Sequence, residues 1–114
     1  MSSASDEIML AALGELRAAL ERCSTRSATL ISGIDDLVTR HRAGKSWRAI
    51  AEETDGPTVL EQVNEAVNEV VEASAVLRRE AVHQLREQGM TEAQLAARFH
   101  ISRQRVSQLA HDKK

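Results

Sequence analysis

A chain of 114 residues holds one domain, or one domain with an appendage, and is too short for two full-sized cores. Trp47 and Phe99 are the only Trp, Phe or Tyr residues, and there are one proline and five glycines, which leaves too few turns and aromatic strands for a β-sandwich or barrel. The formal net charge of −2 hides an asymmetry: residues 1–77 carry seven Lys/Arg against thirteen Asp/Glu, whereas residues 78–114 carry eight against four, a basic end suited to a polyanion.

The strong helix formers Ala, Leu, Glu, Arg and Gln dominate, so the expected fold class is all-α. A single cysteine, Cys23, excludes an internal disulfide and any multi-cysteine metal site. The segment up to Leu10 has Asp6 and Glu7 but no basic residue, unlike a secretory signal, and no apolar run approaches the roughly 20 residues of a membrane span. A soluble, cytoplasmic protein is expected, at the nucleoid if it binds DNA.

The first helix is expected from about Ser5 to Arg42. Met9, Leu13, Leu16, Leu20, Cys23, Ser27, Leu30, Ile34 and Leu37 alternate spacings of four and three, which is a heptad seam. The polar stretch Ser24-Thr25-Arg26-Ser27 is its weak point, but no proline or glycine forces a break there. One long helix therefore follows, stopped by Gly44. Ser46 caps a short helix over residues 47–53, and Asp55-Gly56-Pro57 makes a turn. Thr58 and Glu61 form a capping box that opens a second long helix. Its seam runs through Leu60, Val63, Val67, Val70, Ser74, Leu77 and Ala81, with Glu61, Glu65, Glu69 and Glu72 as an outer acidic stripe. Two heptad seams bury each other in a hairpin or in a dimer, and a homodimer is expected. Residues 1–77 are then a helical dimerisation region and residues 78–114 a separate module.

That module reads as two short helices on a supporting one. The supporting helix carries Leu85 and breaks at Gly89. Thr91, with Gln94, caps a helix that buries Leu95 and Ala96, and Phe99 and Ile101 flank a turn. Ser102 caps the last helix, anchored by Val106 and Leu109. Its outward face is then Arg103, Gln104, Ser107 and Gln108, with Arg105 at the edge. Arginine pairs bidentately with guanine and glutamine with adenine, so these four are the candidate base readers. Thr91 and Ser102 at helix N-termini, with Arg86, Arg98 and Arg105, are candidate phosphate contacts, and Lys113 and Lys114 could add to them.

The segment Leu85–Leu109 resembles the helix-turn-helix of the promoter-reading C-terminal region of bacterial sigma factors, and the similar modules of resolvases and small bacterial regulators. Gly89, Thr91, Leu95, Ala96, Phe99, Ile101, Ser102, Val106 and Leu109 carry the resemblance, over about a third of the chain. It implies a recognition helix with Arg103, Gln104, Arg105 and Gln108 in the major groove of double-stranded DNA. The family often has glycine where His100 stands, and a left-handed turn tolerates histidine less well.

A fainter echo lies at residues 37–63. Gly44, Ser46, Ile50 and Ala51 repeat Gly89, Thr91, Leu95 and Ala96. Arg40, Arg42, Lys45 and Arg48 form a possible second basic patch there. The helix that follows is acidic and repels phosphate, so this stretch reads as a degenerate structural copy rather than a second reader. Trp47 either stacks on a ligand or packs between the short helix and a long one.

Other constellations fail. Gly44-Lys45-Ser46 resembles the end of a phosphate-binding loop but lacks its earlier glycine, Thr39 standing there, and a preceding strand. His41, His83, His100 and His111 have no metal-ligand spacing, and no nucleophile–base arrangement is present. A chain this poor in aromatics has little material for a pocket. No catalytic residue, cofactor, metal or small-molecule substrate is expected. The expected function is a dimeric, sequence-specific DNA-binding protein of the small bacterial transcription-regulator or nucleoid-associated kind. The alternative is an interaction protein whose acidic stripe and long helices bind RNA polymerase or another regulator.

Overall fold

The computed structural model describes residues 4–111. Among these residues the chain forms five α-helices and no strand: α1 (Ala4–Arg42), α2 (Trp47–Glu53), α3 (Val59–Glu87), α4 (Glu92–Phe99) and α5 (Arg103–His111). The terminal lysines Lys113 and Lys114 lie outside the described residues. No helix among them is long and apolar enough to cross a membrane.

Helix α1 is continuous through its polar middle. Thr25 Oγ1 donates to the Glu21 carbonyl at 3.0 Å and Ser27 Oγ to the Cys23 carbonyl at 2.8 Å. Each hydroxyl is thus satisfied one turn back, on a carbonyl it shares with the helix ladder, and the helix runs on unbroken. Asp6 and Glu7 in the first turn and Arg40, His41 and Arg42 in the last complement the helix dipole. Gly44, at φ 110°, ends it in a left-handed turn. The Thr58–Glu61 capping box opens α3: the Glu61 amide donates to Thr58 Oγ1 at 3.2 Å and the Thr58 amide to Glu61 Oε1 at 3.3 Å.

The chain divides into two compact units. In the unit Ala18–Val71, α1 and α3 pair antiparallel. Arg22 Nε meets Glu69 at 3.2 Å, and Arg26 meets Glu69 at 2.8 Å and Glu65 at 3.4 Å. Gly33 faces Val59 so closely that a Cβ there would stand 3.0 Å from Val59 Cγ2. Ala19 and Ala66 are buried, whereas Leu20 and Ile34, expected on the seam, are 50% and 46% exposed. Leu60 and Val67 are likewise exposed. Small residues let the two backbones approach, and the close approach pushes the larger aliphatics to one edge of the contact. The same substitution occurs near the start of α1, where Ala12 is buried and Leu13 exposed.

The other unit comprises α1 up to Arg17, α3 from Glu72, α4 and α5. Val82, Leu95 and Val106 are fully buried and Leu109 nearly so, and Leu85, Met90, Ala96, Phe99, Ile101 and Ala110 pack around them. One aliphatic from each of α3, α4 and α5 thus locks the three helices together. This is the rigid base on which the exposed side of α5 stands.

Candidate nucleic-acid interface

Each end of the two short helices has a chemical cause. Gly89, at φ 97°, ends α3, and the Met90 amide folds back to the Leu85 carbonyl at 3.1 Å. Thr91 caps α4: the Gln94 amide donates to Thr91 Oγ1 at 3.2 Å and the Thr91 amide to Gln94 Oε1 at 2.9 Å. His100 then takes the left-handed conformation, φ 56° and ψ 42°, and is the only non-glycine residue with positive φ among the described residues. The Ile101 amide returns to the Ala96 carbonyl at 3.1 Å, so the turn closes in the geometry that glycine favours, with histidine in its place. Ser102 Oγ accepts from the Arg105 amide at 3.0 Å and opens α5.

On α5, Val106 and Leu109 face inward, and Arg103, Gln104, Arg105 and Gln108 are exposed. Ser107, expected on the outward face, is half-buried, because one residue beyond Val106 it lies on the flank shared with Ala110. Arg105 Nη1 donates to Gln108 Oε1 at 3.4 Å, which couples a cation to one of the amides. Thr91, Ser102, Arg86 and Arg98 are exposed as well. None of Arg86, Arg98, Arg103 and Arg105 is ion-paired with a described carboxylate. The surface is therefore a hydrogen-bonding, cationic face carried on a short rod with a closed core behind it.

The second basic patch is different. Arg40 and Lys45 both bind the Glu53 carboxylate, Lys45 at 2.7 Å, and Arg48 binds Glu52 at 2.9 Å. Only Arg42 of the four keeps its charge free of a described carboxylate. The hydrogen bond from Lys45, and then that from Arg40, hold the Glu53 carboxyl below its ordinary value of 4.5. Trp47 is 58% exposed and stacks on His41, with ring centroids 3.8 Å apart and planes 10° apart. It therefore packs on the end of α1, and Ile50 alone of α2 is buried.

Two features of the region had no sequence signal. His83 Nε2 lies 2.8 Å from the Leu109 carbonyl, a bond that fastens α3 to the last turn of α5. Its acceptor is a backbone oxygen, which no residue type announces. Met90 joins the core, filling the space beside Leu85 and Phe99. Contrary to the expectation that little pocket could form, an open groove of about 560 Å³ lies within the same unit, walled mainly by aliphatic and methionine side chains together with Phe99. No group of His, Cys, Asp and Glu among the described residues could hold a metal ion. No family model, curated protein or solved structure matches the chain.

Proposed function

We propose that the chain is a sequence-specific DNA-binding protein, a small transcription regulator or nucleoid-associated factor, in which residues 82–111 act as a helix-turn-helix. The observation that carries this reading is the outward side of α5: Arg103, Gln104 and Gln108 are exposed, free of carboxylate partners, and set on a fully buried three-helix core. Arg103 and Gln104 read base edges, with Gln108 beside them. The hydroxyls of Thr91 and Ser102, with Arg86, Arg98 and Arg105, contact phosphates and set the register. The resemblance of this segment to the sigma-factor and resolvase modules supports the same assignment, and the left-handed His100 turn is compatible with it.

The protein acts as a homodimer in this reading. In the unit Ala18–Val71 the ion pairs of Arg22 and Arg26 occupy one edge of the α1–α3 pair. Heptad positions place Leu20, Ile31 and Ile34 on the opposite edge of α1, and Leu60, Val67 and Val71 on that same edge of α3, all of them exposed. A second copy covering this face completes a four-helix arrangement and gives two recognition helices for two half-sites.

Duplex binding measured against salt tests the function. Affinity falls on a log–log plot with a slope of about −0.9 for each phosphate contacted. Absence of binding even at low salt overturns the DNA reading and favours the interaction protein. Sedimentation tests the dimer: the wild type sediments as two chains and Ile31→Glu with Val67→Glu as one. In the dimer the two Gln104 side chains stand about 34 Å apart, or a multiple of it.

A further inference from the structure

The groove of about 560 Å³ in the α4–α5 unit has an unusual combination of walls. Leu13 of α1, Leu77 and Leu85 of α3, Met90 and Phe99 make it apolar. Arg78, on α3, and Arg98, in the last turn of α4, also line it. Neither arginine is hydrogen-bonded or ion-paired to any described residue. A volume of this size lies within the range of about 300–1,000 Å³ that small-molecule sites occupy. Methionine and leucine walls adapt to a flexible chain, and a guanidinium presents a planar fork that matches a carboxylate.

We propose that this groove binds a small amphipathic acid: an alkyl or aryl body lying on the apolar walls, with a carboxylate between Arg78 and Arg98. The charge of the site selects this occupant over the alternatives. A neutral apolar molecule leaves both cations without a counter-ion. A second copy docked across a two-fold axis at the groove brings arginine against arginine. An acid satisfies the walls and the charges together.

Arg98 gives the site a consequence, which rests on the DNA-binding reading. The same guanidinium serves as a sequence-blind phosphate contact on α4. A bound carboxylate takes it out of that role, so the acid lowers duplex affinity for all sequences alike and shallows the salt slope by about one contact's worth. The acid is then an effector that releases the protein from DNA.

The test is calorimetric titration of the full chain with decanoate below its micellar concentration, with decanol and decyltrimethylammonium alongside, in the absence of DNA. Decanoate is expected to bind saturably, one per chain, and about tenfold more tightly than decanol, with no saturable binding of the cation. Arg78→Gln and Arg98→Gln each weaken decanoate about tenfold and leave decanol unchanged. Both side chains are exposed, and circular dichroism of the variants confirms that the fold is kept. Equal binding of decanoate and decanol, indifference of decanoate to both substitutions, or no saturable decanoate binding overturns the proposal. If decanoate binds with the arginine dependence and duplex binding is absent at low salt, the site stands and the DNA reading falls. If duplex binds and decanoate does not, the reverse holds.

Discussion

Residues 37–63 and residues 82–111 begin alike and end differently. In each, a glycine with positive φ stops a long helix: Gly44 at 110° and Gly89 at 97°. In each, a hydroxyl cap two residues later accepts from the amide three residues on: Ser46 from Ala49 and Thr91 from Gln94. In each, an aliphatic on the short helix is buried, Ile50 or Leu95. They part at the second turn. After α4 the chain closes through His100 into the nine-residue helix α5, whose arginines have no described carboxylate partner. After α2 it runs through Asp55, Gly56 and Pro57 into the 29-residue helix α3, and three of the four local cations, Arg40, Lys45 and Arg48, are paired with Glu52 or Glu53. The two stretches thus share a local outline and differ in whether their cations are paired with carboxylates, and the proposed DNA reading rests on that difference.

The largest expected effect probes the supports. Leu95→Ala, at the centre of a three-helix core, lowers stability by about 2–5 kcal/mol in urea unfolding. Ile50→Ala falls at or below the low end of that range, because α2 buries no other residue and its surroundings can collapse. Equal losses at the two sites would show that residues 37–63 are as firmly held as residues 82–111.

The next contrast is in binding. Arg103→Ala and Gln104→Ala each cost about 1–3 kcal/mol on the preferred duplex and relax specificity. Arg98→Ala weakens all duplexes alike, and Lys45→Ala and Arg48→Ala leave affinity unchanged because those cations are already paired. Footprints that move together for Arg103→Ala and Arg98→Ala refute the division of roles. A loss of affinity in Lys45→Ala would instead make residues 37–63 a second reader.

The turn itself gives a smaller signal. Replacing His100 by glycine removes a side chain from a left-handed position and stabilises the protein by about 1 kcal/mol, measured as a raised midpoint in urea. A lowered midpoint would mean that the imidazole contributes to the fold.

The smallest effect is a pH dependence confined to residues 37–63. The Glu53 carboxyl is held below 4.5, so its contribution to stability is present above that pH and is lost as pH falls through the lower, folded-state value. Wild type therefore exceeds Glu53→Gln in stability at pH 7, and the two converge in acid below that folded-state value. A difference that persists unchanged there rules out the ion pairs with Lys45 and Arg40 as its source.

Much of this molecule is legible in the order of its residues. The helix ends follow from Gly44, Ser46, Thr58, Gly89, Thr91 and Ser102, because capping and left-handed turns are local chemistry between residues three or four apart. The buried set of the short helices, Leu95, Val106 and Leu109, follows from helical periodicity. The long-helix seam is legible only in part. Leucines look like the natural seam, and on it Leu16, Leu30 and Leu37 are half-buried and Ala81 is buried, yet Ala12, Ala19 and Ala66 beside it are buried while Leu13, Leu20 and Val67 stand exposed. Periodicity identifies an apolar stripe but not which side of it meets the partner helix, since that depends on how closely two backbones approach.

An all-helical chain, the positions of its caps and turns, and the split between an acidic half and a basic end can all be read from residue order alone. These depend on backbone preferences and charge, which each residue carries with it. It took the packed helices to bring Arg40 and Lys45 onto Glu53 while leaving the arginines of α5 without a described carboxylate, to hold the last helix by His83 through a backbone carbonyl, and to open a groove beside Arg78 and Arg98. Partnership between residues distant in the chain is settled by packing, and packing is a property of the assembled helices rather than of any one segment.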